Sequence, residues 1–317
     1  MTNNTVARNV EGYTNLVVNN VRGCPPADCS YRLWQHGDII PGNPIIILVH
    51  GAVVPLVVPI PGADCHPLHQ INSPNNDRCC FYQLDSLLYE ECHHNVFIFE
   101  YACMAVKDVA GNVLGYVNYG CLQDYGEMLI RAIREAKDKS RKSDGTVGAV
   151  NIIAHSMGGL VARYAVQNQR AGTIDNIITL DTGHLGFWLA KIVDDLLVDP
   201  LKELLHLPTA CSEDAAPGSK FVKDLNDEFS TCPALWSLCA TQPVPPNYFC
   251  GIIPPPPIEI TAVDLSSSSV GTYFHLPYNH MSIANITDRN HLAYLRIRNI
   301  LCPRLKFQRY RSHYQEI

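Results

Sequence analysis

Apolar positions along the chain fall into short unbroken runs, and these alternate with segments of helical spacing. Ile45-Ile46-Ile47-Leu48-Val49 runs into His50-Gly51. A stretch that short, β-branched and closed by glycine reads as a strand buried on both faces. Residues 95–101, 150–153 and 176–182 repeat the pattern, and residues 258–263 and 272–277 read as the last two strands. Helical spacing marks residues 81–91, 118–137, 160–165, 218–229 and 288–301. In the second of these Leu122, Tyr125, Leu129, Ile133 and Ala136 share one face. The apolar segment 186–207 also reads as helix. Strands alternating with helices predict an α/β fold, a mostly parallel, doubly wound sheet with helices on both faces. Ligands of such sheets sit at the carboxyl ends of the strands.

The spacing divides the chain into three parts. Residues 1–40 are polar and carry Pro25-Pro26, which predicts a peripheral N-terminal arm. Residues 41–302 form the main domain, with a lid or cap insertion at 186–250. Residues 303–317 form a C-terminal tail, whose basic positions between Arg304 and Arg311 read as a solvated face. Residues 52–80 and 232–257 are expected to be irregular.

Composition narrows the classes. The chain has 317 residues, 47% of them apolar and 17% charged, enough for one large domain with a sizeable core. A net charge of −6 gives no sign of a nucleic-acid partner. No apolar run is long enough to span a bilayer. Thirteen cysteines, mostly in expected loops or at element ends, predict several disulfides and a secreted or otherwise oxidising location. Residues 1–5 lack the form of a signal peptide, so that location implies a leader already removed; an intracellular location is the alternative. The odd count leaves one cysteine unpaired in a monomer. Connectivity and oligomeric state are not written in the pattern.

The chemistry concentrates in Ala154-His155-Ser156-Met157-Gly158-Gly159, between the run 150–153 and the helical segment from Leu160. A strand, a serine on a tight turn and a helix make a nucleophile elbow. Small residues are needed two before and two after the serine. Here these are Ala154, where glycine is usual, and Gly158. Ser156 is therefore the candidate nucleophile. A serine hydroxyl needs a base, a carboxylate to orient that base, and donors for the oxyanion. Of the late histidines, His275 falls inside a strand, His291 in the closing helix and His313 in the tail. His280 follows the final strand directly and is the candidate base. Asp264, after the expected strand 258–263, is the first candidate for the acid; Asp181, at the end of the strand after the elbow, is its rival. The oxyanion donors expected by position are the backbone N–H groups of Met157 and Ala52.

Four segments resemble the lipase branch of the α/β-hydrolase fold, including bacterial triacylglycerol lipases and the GPI inositol-deacylase-like group. They are Leu48-Val49-His50-Gly51; Ala154 to Gly159 continuing through Tyr164; Thr179-Leu180-Asp181-Thr182-Gly183-His184-Leu185-Gly186; and residues 217–226. The third is similar to the family's Thr-Pro-His-x-Gly turn, with Gly183 in place of proline. In that pattern the residue at Asp181 is not the acid, which favours Asp264. The family's Asp-Gly-Val-Val is here Asp264-Leu265-Ser266-Ser267. The resemblance implies hydrolysis of carboxylic esters through an acyl-enzyme, without cofactor or metal. An amidase, thioesterase or acyltransferase on the same residues, or a catalytically silent binding module, are the alternatives.

The expected partner is a small-molecule or lipid ester. Residues 52–60 and 186–207 are apolar enough to line a pocket or lid and to meet a lipid interface, or simply to pack in a core. Cys65, His66, His69, Cys92, His93 and His94 bring soft ligands into one region, but their spacing is irregular for zinc, and disulfides with surface histidines account for them better. Asn285-Ile286-Thr287 and Asn3-Asn4-Thr5 fit glycosylation acceptors.

Overall fold

The computed structural model describes residues 9–10, 13–20, 30–51, 81, 83–102, 104–107, 113–117, 121–169, 174–187, 213–227, 234–243, 263 and 265–302. In chain order the elements are β1 (Asn9–Val10), β2 (Tyr13–Asn20), β3 (Ser30–His36), β4 (Ile45–Val49), α1 (Leu84–Cys92), β5 (Asn95–Ala102), β6 (Met104–Lys107) and β7 (Val113–Val117). There follow α2 (Leu122–Lys139), β8 (Val150–His155), α3 (Gly158–Gln167), β9 (Asn176–Leu180), α4 (Lys220–Asp227), β10 (Ala234–Ala240), α5 (Leu265–Ser268), β11 (Thr272–Leu276) and α6 (Leu292–Leu301). Nine strands form one sheet in the order β1-β2-β3-β5-β4-β8-β9-β10-β11, and β6 pairs with β7 apart from it. From β5 to β11 every pairing is parallel. β1, β2 and β3 extend the sheet antiparallel.

Alternation along the central strands builds the two faces. In β4, Ile45, Ile47 and Val49 join the core that holds α2, α3 and α4, while Ile46 and Leu48 join the one that holds α1 and α6. β8 divides in the same way, Val150, Ile152 and Ala154 to the first face and Ile153 to the second. Both strands are buried throughout, as expected of β-branched runs covered on both sides. The predicted face of α2 is fully buried at all five positions. The helix starts at Leu122, whose otherwise orphaned N–H donates to Asp214 Oδ2 at 2.9 Å.

The observed elements depart from expectation in two places. Residues 30–36, expected in a peripheral arm, form β3 within the sheet, with Tyr31 and Leu33 in the core. Residues 234–240, expected to be irregular, form β10 between β9 and β11. Its sequence, Ala-Leu-Trp-Ser-Leu-Cys-Ala, has no β-branched residue, so propensity does not mark it; burial between two partners makes it a strand. β10 thus occupies the sheet position beside β11. Residues 258–262 lie outside the described residues, and Val263 is buried in a bend. The apolar segments 52–60 and 188–207 also lie outside them.

Candidate active site

β8 ends at His155, and the chain must turn from sheet to helix within two residues. Ser156 makes that turn with φ 55°, left-handed backbone that a non-glycine residue adopts only under constraint. The constraint is visible on both sides. The Ser156 N–H donates to the Leu180 carbonyl at 3.0 Å, and Thr182 Oγ1 donates to the Ser156 carbonyl at 2.9 Å. Space permits only glycine in the following turn. A Cβ on Gly158 would lie 2.2 Å from the His50 carbonyl oxygen, and one on Gly159 would lie 2.1 Å from Thr182 Oγ1. Ala154 is fully buried against the α2 and α3 side, so a methyl fits where glycine is usual.

At the carboxyl edge of the sheet three side chains converge. His280 Nε2 lies 2.9 Å from Ser156 Oγ, and His280 Nδ1 lies 2.7 Å from Asp181 Oδ2. A carboxylate only accepts, so Nδ1–H donates to Asp181, leaving Nε2 to accept from the serine. Asp181 Oδ1 accepts from the Ala240 N–H at 3.0 Å, and the Asp181 N–H donates to the Leu238 carbonyl at 2.8 Å. β10 thus fixes a carboxylate carried at the end of β9. The histidine loop is fixed too. Asn279 Oδ1 accepts from the N–H groups of Met281 and Ser282. His155 Nε2–H donates to the His280 carbonyl at 2.8 Å, with the two rings 4.8 Å apart. His280 is 13% exposed and Asp181 2%, so the pair is shielded while the histidine keeps an open side.

Among the described residues the carboxylate on His280 is Asp181, the rival in the sequence reading. Asp264, its first choice, lies outside the described residues. That choice rested on a strand over 258–263. Among the described residues the strand beside β11 is β10, which runs into Thr241 and offers no carboxylate at its end. Met157 sits at the start of α3, where helix N–H groups lack intrahelical partners. Ala52 lies outside the described residues. His275 is exposed on β11 and meets Ser269, while His291 stacks on Tyr278 and donates to the Ser282 carbonyl. Neither approaches the serine.

A second imidazole, with no role assigned from sequence, is buried beneath the elbow. His184 is fully buried, with Nε2 3.2 Å from both Thr179 Oγ1 and Ser237 Oγ. Ser237 spends its own proton on the Val270 carbonyl at 2.6 Å. Nε2 must therefore be the N–H, which leaves Nδ1 facing Arg163 Nη1 at 3.4 Å. Burial first, and the Arg163 guanidinium second, hold this imidazole well below the ordinary histidine range. Arg163 also donates to the carbonyls of His184 and Leu225 and to Asn226 Oδ1.

Of the soft ligands grouped in the sequence, Cys92 is joined to Cys302 in a disulfide, and His94 is buried beside it. Burial pushes the His94 imidazole down to about 4. Cys65, His66 and His69 lie outside the described residues. Among the described residues, no helix is long and apolar enough to cross a membrane.

Residues 112–192, which hold the elbow and Asp181, match the family model of the PGAP1-like alpha/beta domain. No curated protein sequence matches the chain. Among solved structures, the mature Bacillus licheniformis lipase superposes with a TM-score of 0.52 at 16% identity, over 82% of this chain and 94% of that one. A Legionella pneumophila phospholipase gives 0.55 at 16% identity over 82% of this chain, which spans 60% of the phospholipase. A Pyrococcus furiosus esterase gives 0.51 at 11% identity over 92% of each chain. The chain has the α/β-hydrolase fold found in lipases and esterases.

Proposed function

We propose that this protein is a serine hydrolase that cleaves carboxylic esters with apolar acyl groups, using Ser156 as nucleophile, His280 as base and Asp181 as acid. The observation that carries this reading is the unbroken relay of 2.9 and 2.7 Å from a strained serine through an imidazole to an anchored carboxylate. His280 Nε2 takes the hydroxyl proton as Ser156 Oγ bonds to the ester carbonyl carbon. Asp181 stabilises the imidazolium so formed. The oxyanion is held by the N–H of Met157, with Ala52 N–H as the second donor. The tetrahedral adduct then expels the alcohol, which leaves with the proton from His280. Water, deprotonated by the same nitrogen, releases the acid and restores the serine.

Two features support an apolar acyl group. Lipases and a phospholipase stand among the proteins of similar fold. The apolar segments 52–60 and 186–207 begin directly at the oxyanion loop and after the Asp181 turn. The Cys92–Cys302 bond supports an oxidising location.

A fluorophosphonate probe tests the nucleophile. Wild type is expected to be labelled at Ser156 and Ser156→Ala not at all. No labelling of wild type, or equal labelling of both, removes the assignment. Substrate class is read from a series of p-nitrophenyl esters of rising chain length. A rate sustained to long chains supports the lipid-ester reading, and a steep fall beyond short chains leaves an esterase. A faster anilide than ester of the same acid would make it an amidase.

A further inference from the structure

The disulfide corner on the α1–α6 face contains more than a disulfide. Cys92 closes α1, Cys302 follows α6, and His94 stands on the two-residue link to β5. The ligand atoms of these three residues lie within 4.8 Å of one another. His94 is 4% exposed, and its Nδ1 is buried without a hydrogen-bond partner. A buried imidazole nitrogen left unsatisfied beside two sulfurs is destabilising unless something uses its lone pair. The disulfide makes no use of it.

We propose that Cys92, Cys302 and His94 form a thiol-gated Zn(II) site. Oxidised, the corner is closed by the disulfide. Reduced by a small-molecule or protein dithiol, it is closed by a zinc ion instead. The reductant supplies two electrons and two protons, its thiols become a disulfide, and the S–S bond of the protein becomes two thiols. Zinc binding then releases those two protons as the thiolates coordinate.

Two cysteines and one histidine are a known three-ligand set for zinc, with water in the fourth position. Two thiolates on one tetrahedral zinc stand roughly 3.8 Å apart, from Zn–S bonds of about 2.3 Å. With Cα atoms 6.0 Å apart, Cys92 and Cys302 can reach that spacing by rotating their side chains. Either closure ties the end of α6 to the end of α1. The protein would therefore keep this corner pinned in both a reducing and an oxidising compartment. The site is remote in sequence and in chemistry from Ser156, and it stands whether or not the hydrolase reading does.

The test uses the full-length protein, oxidised and after treatment with a phosphine reductant. Zinc is counted after desalting, and Co(II) serves as the optical probe. Reduced wild type is expected to hold one more equivalent of zinc than the oxidised protein. With Co(II) it should show thiolate-to-cobalt charge transfer and tetrahedral ligand-field bands. Reduced Cys302→Ser and reduced His94→Ala should each lose that equivalent. A readout without substitution runs in parallel. In reduced wild type, zinc should shield Cys92 and Cys302 from alkylation, located by peptide mass spectrometry. Equal zinc in the oxidised and reduced protein, or unshielded alkylation of both cysteines, overturns the proposal. Retention of the equivalent in His94→Ala overturns the three-residue site.

Discussion

Two histidines near the elbow are built from the same parts and do opposite things. His280 and His184 each have a serine hydroxyl near Nε2, at 2.9 and 3.2 Å. What differs is the group at Nδ1, a carboxylate for His280 and a guanidinium for His184. The carboxylate holds the proton on Nδ1 and turns the Nε2 lone pair to the serine. The guanidinium demands the Nδ1 lone pair, so the proton sits on Nε2 and points at the serine. One imidazole can accept a proton and be stabilised by doing so. The other would become a buried cation against a cation. A histidine beside a serine thus becomes a base only when the third group has the right sign.

Reversing the sign at His280 should have the largest effect. Asp181→Asn preserves shape but offers an amide, which can donate to Nδ1 and strand the proton on Nε2. By analogy with the same change in other serine hydrolases, kcat for a soluble ester should fall about ten-thousandfold. Asp264→Asn should leave kcat within about threefold, a size expected of a residue outside the relay. Steady-state rates decide between the two carboxylates. A collapse in Asp264→Asn alone would break the comparison.

Next in size is the behaviour in acid, where the neutral imidazoles should give themselves away. His184, His94 and His291 are all lowered, each mainly by burial. Above the ordinary histidine value near 6.5, folded and unfolded chains are both neutral, and these groups cost nothing. As pH falls through that value the unfolded chain takes up protons that the folded chain refuses, so stability falls. The loss from His94 continues to about pH 4 and then levels off. Each such group contributes up to about 1.4 kcal/mol per pH unit within its window. Urea midpoints between pH 7.5 and 4.5 should decline accordingly. A midpoint independent of pH would mean that these rings are not held neutral.

Much of this was legible in the sequence, for a physical reason. Strands buried on both faces are mostly apolar, so β4, which is so throughout, and β8 and β9, with Ile152-Ile153 and Ile177-Ile178, stand out. The elbow is legible because the Gly158 and Gly159 positions exclude any larger residue. His280 is legible because it directly follows the last strand. Asp181 was only an alternative, because its claim depends on β10, and β10 has little local signature. Once that strand is placed, Ala240 N–H meets Asp181 Oδ1 and the strand's own end offers Thr241. The His184 cluster was illegible because its partners, Arg163, Ser237 and Asn226, are scattered through the sequence and meet only in the folded core. β3 was hidden by Arg32 and Gln35, polar positions on a strand that the core covers less completely.

Removing the guanidinium sharpens the comparison from its other side. Arg163→Met keeps volume and removes the donors to His184, Leu225 and Asn226. The Leu225 carbonyl keeps Gln167 Nε2 and the His184 carbonyl keeps Asn226 Nδ2, so the change falls mainly on Asn226 Oδ1 and His184 Nδ1, and the expected loss is about 2 kcal/mol, read as a lower urea midpoint. The cation opposing protonation of His184 is also gone, so its part of the acid slope should shrink. The folded variant should keep the wild-type kcat, since the hydrogen bonds of Arg163 go to His184, Leu225 and Asn226. A kcat loss as large as that of Asp181→Asn would mean that the two histidines are not separable.

The smallest effect belongs to His155, whose hydrogen bond to the relay goes to the backbone of His280. Its Nε2–H donates to the His280 carbonyl, and the rings lie against each other. His155→Phe should keep the ring packing and lose the hydrogen bond, worth about 1 kcal/mol or some fivefold in kcat. A positioning role predicts that kcat falls while KM holds, because the imidazole samples its reactive orientation less often. His155→Gln, with an amide that can reach the same carbonyl, should recover most of the rate. If both variants shift KM alone, His155 belongs to the substrate wall and the His280 loop holds its geometry through Asn279.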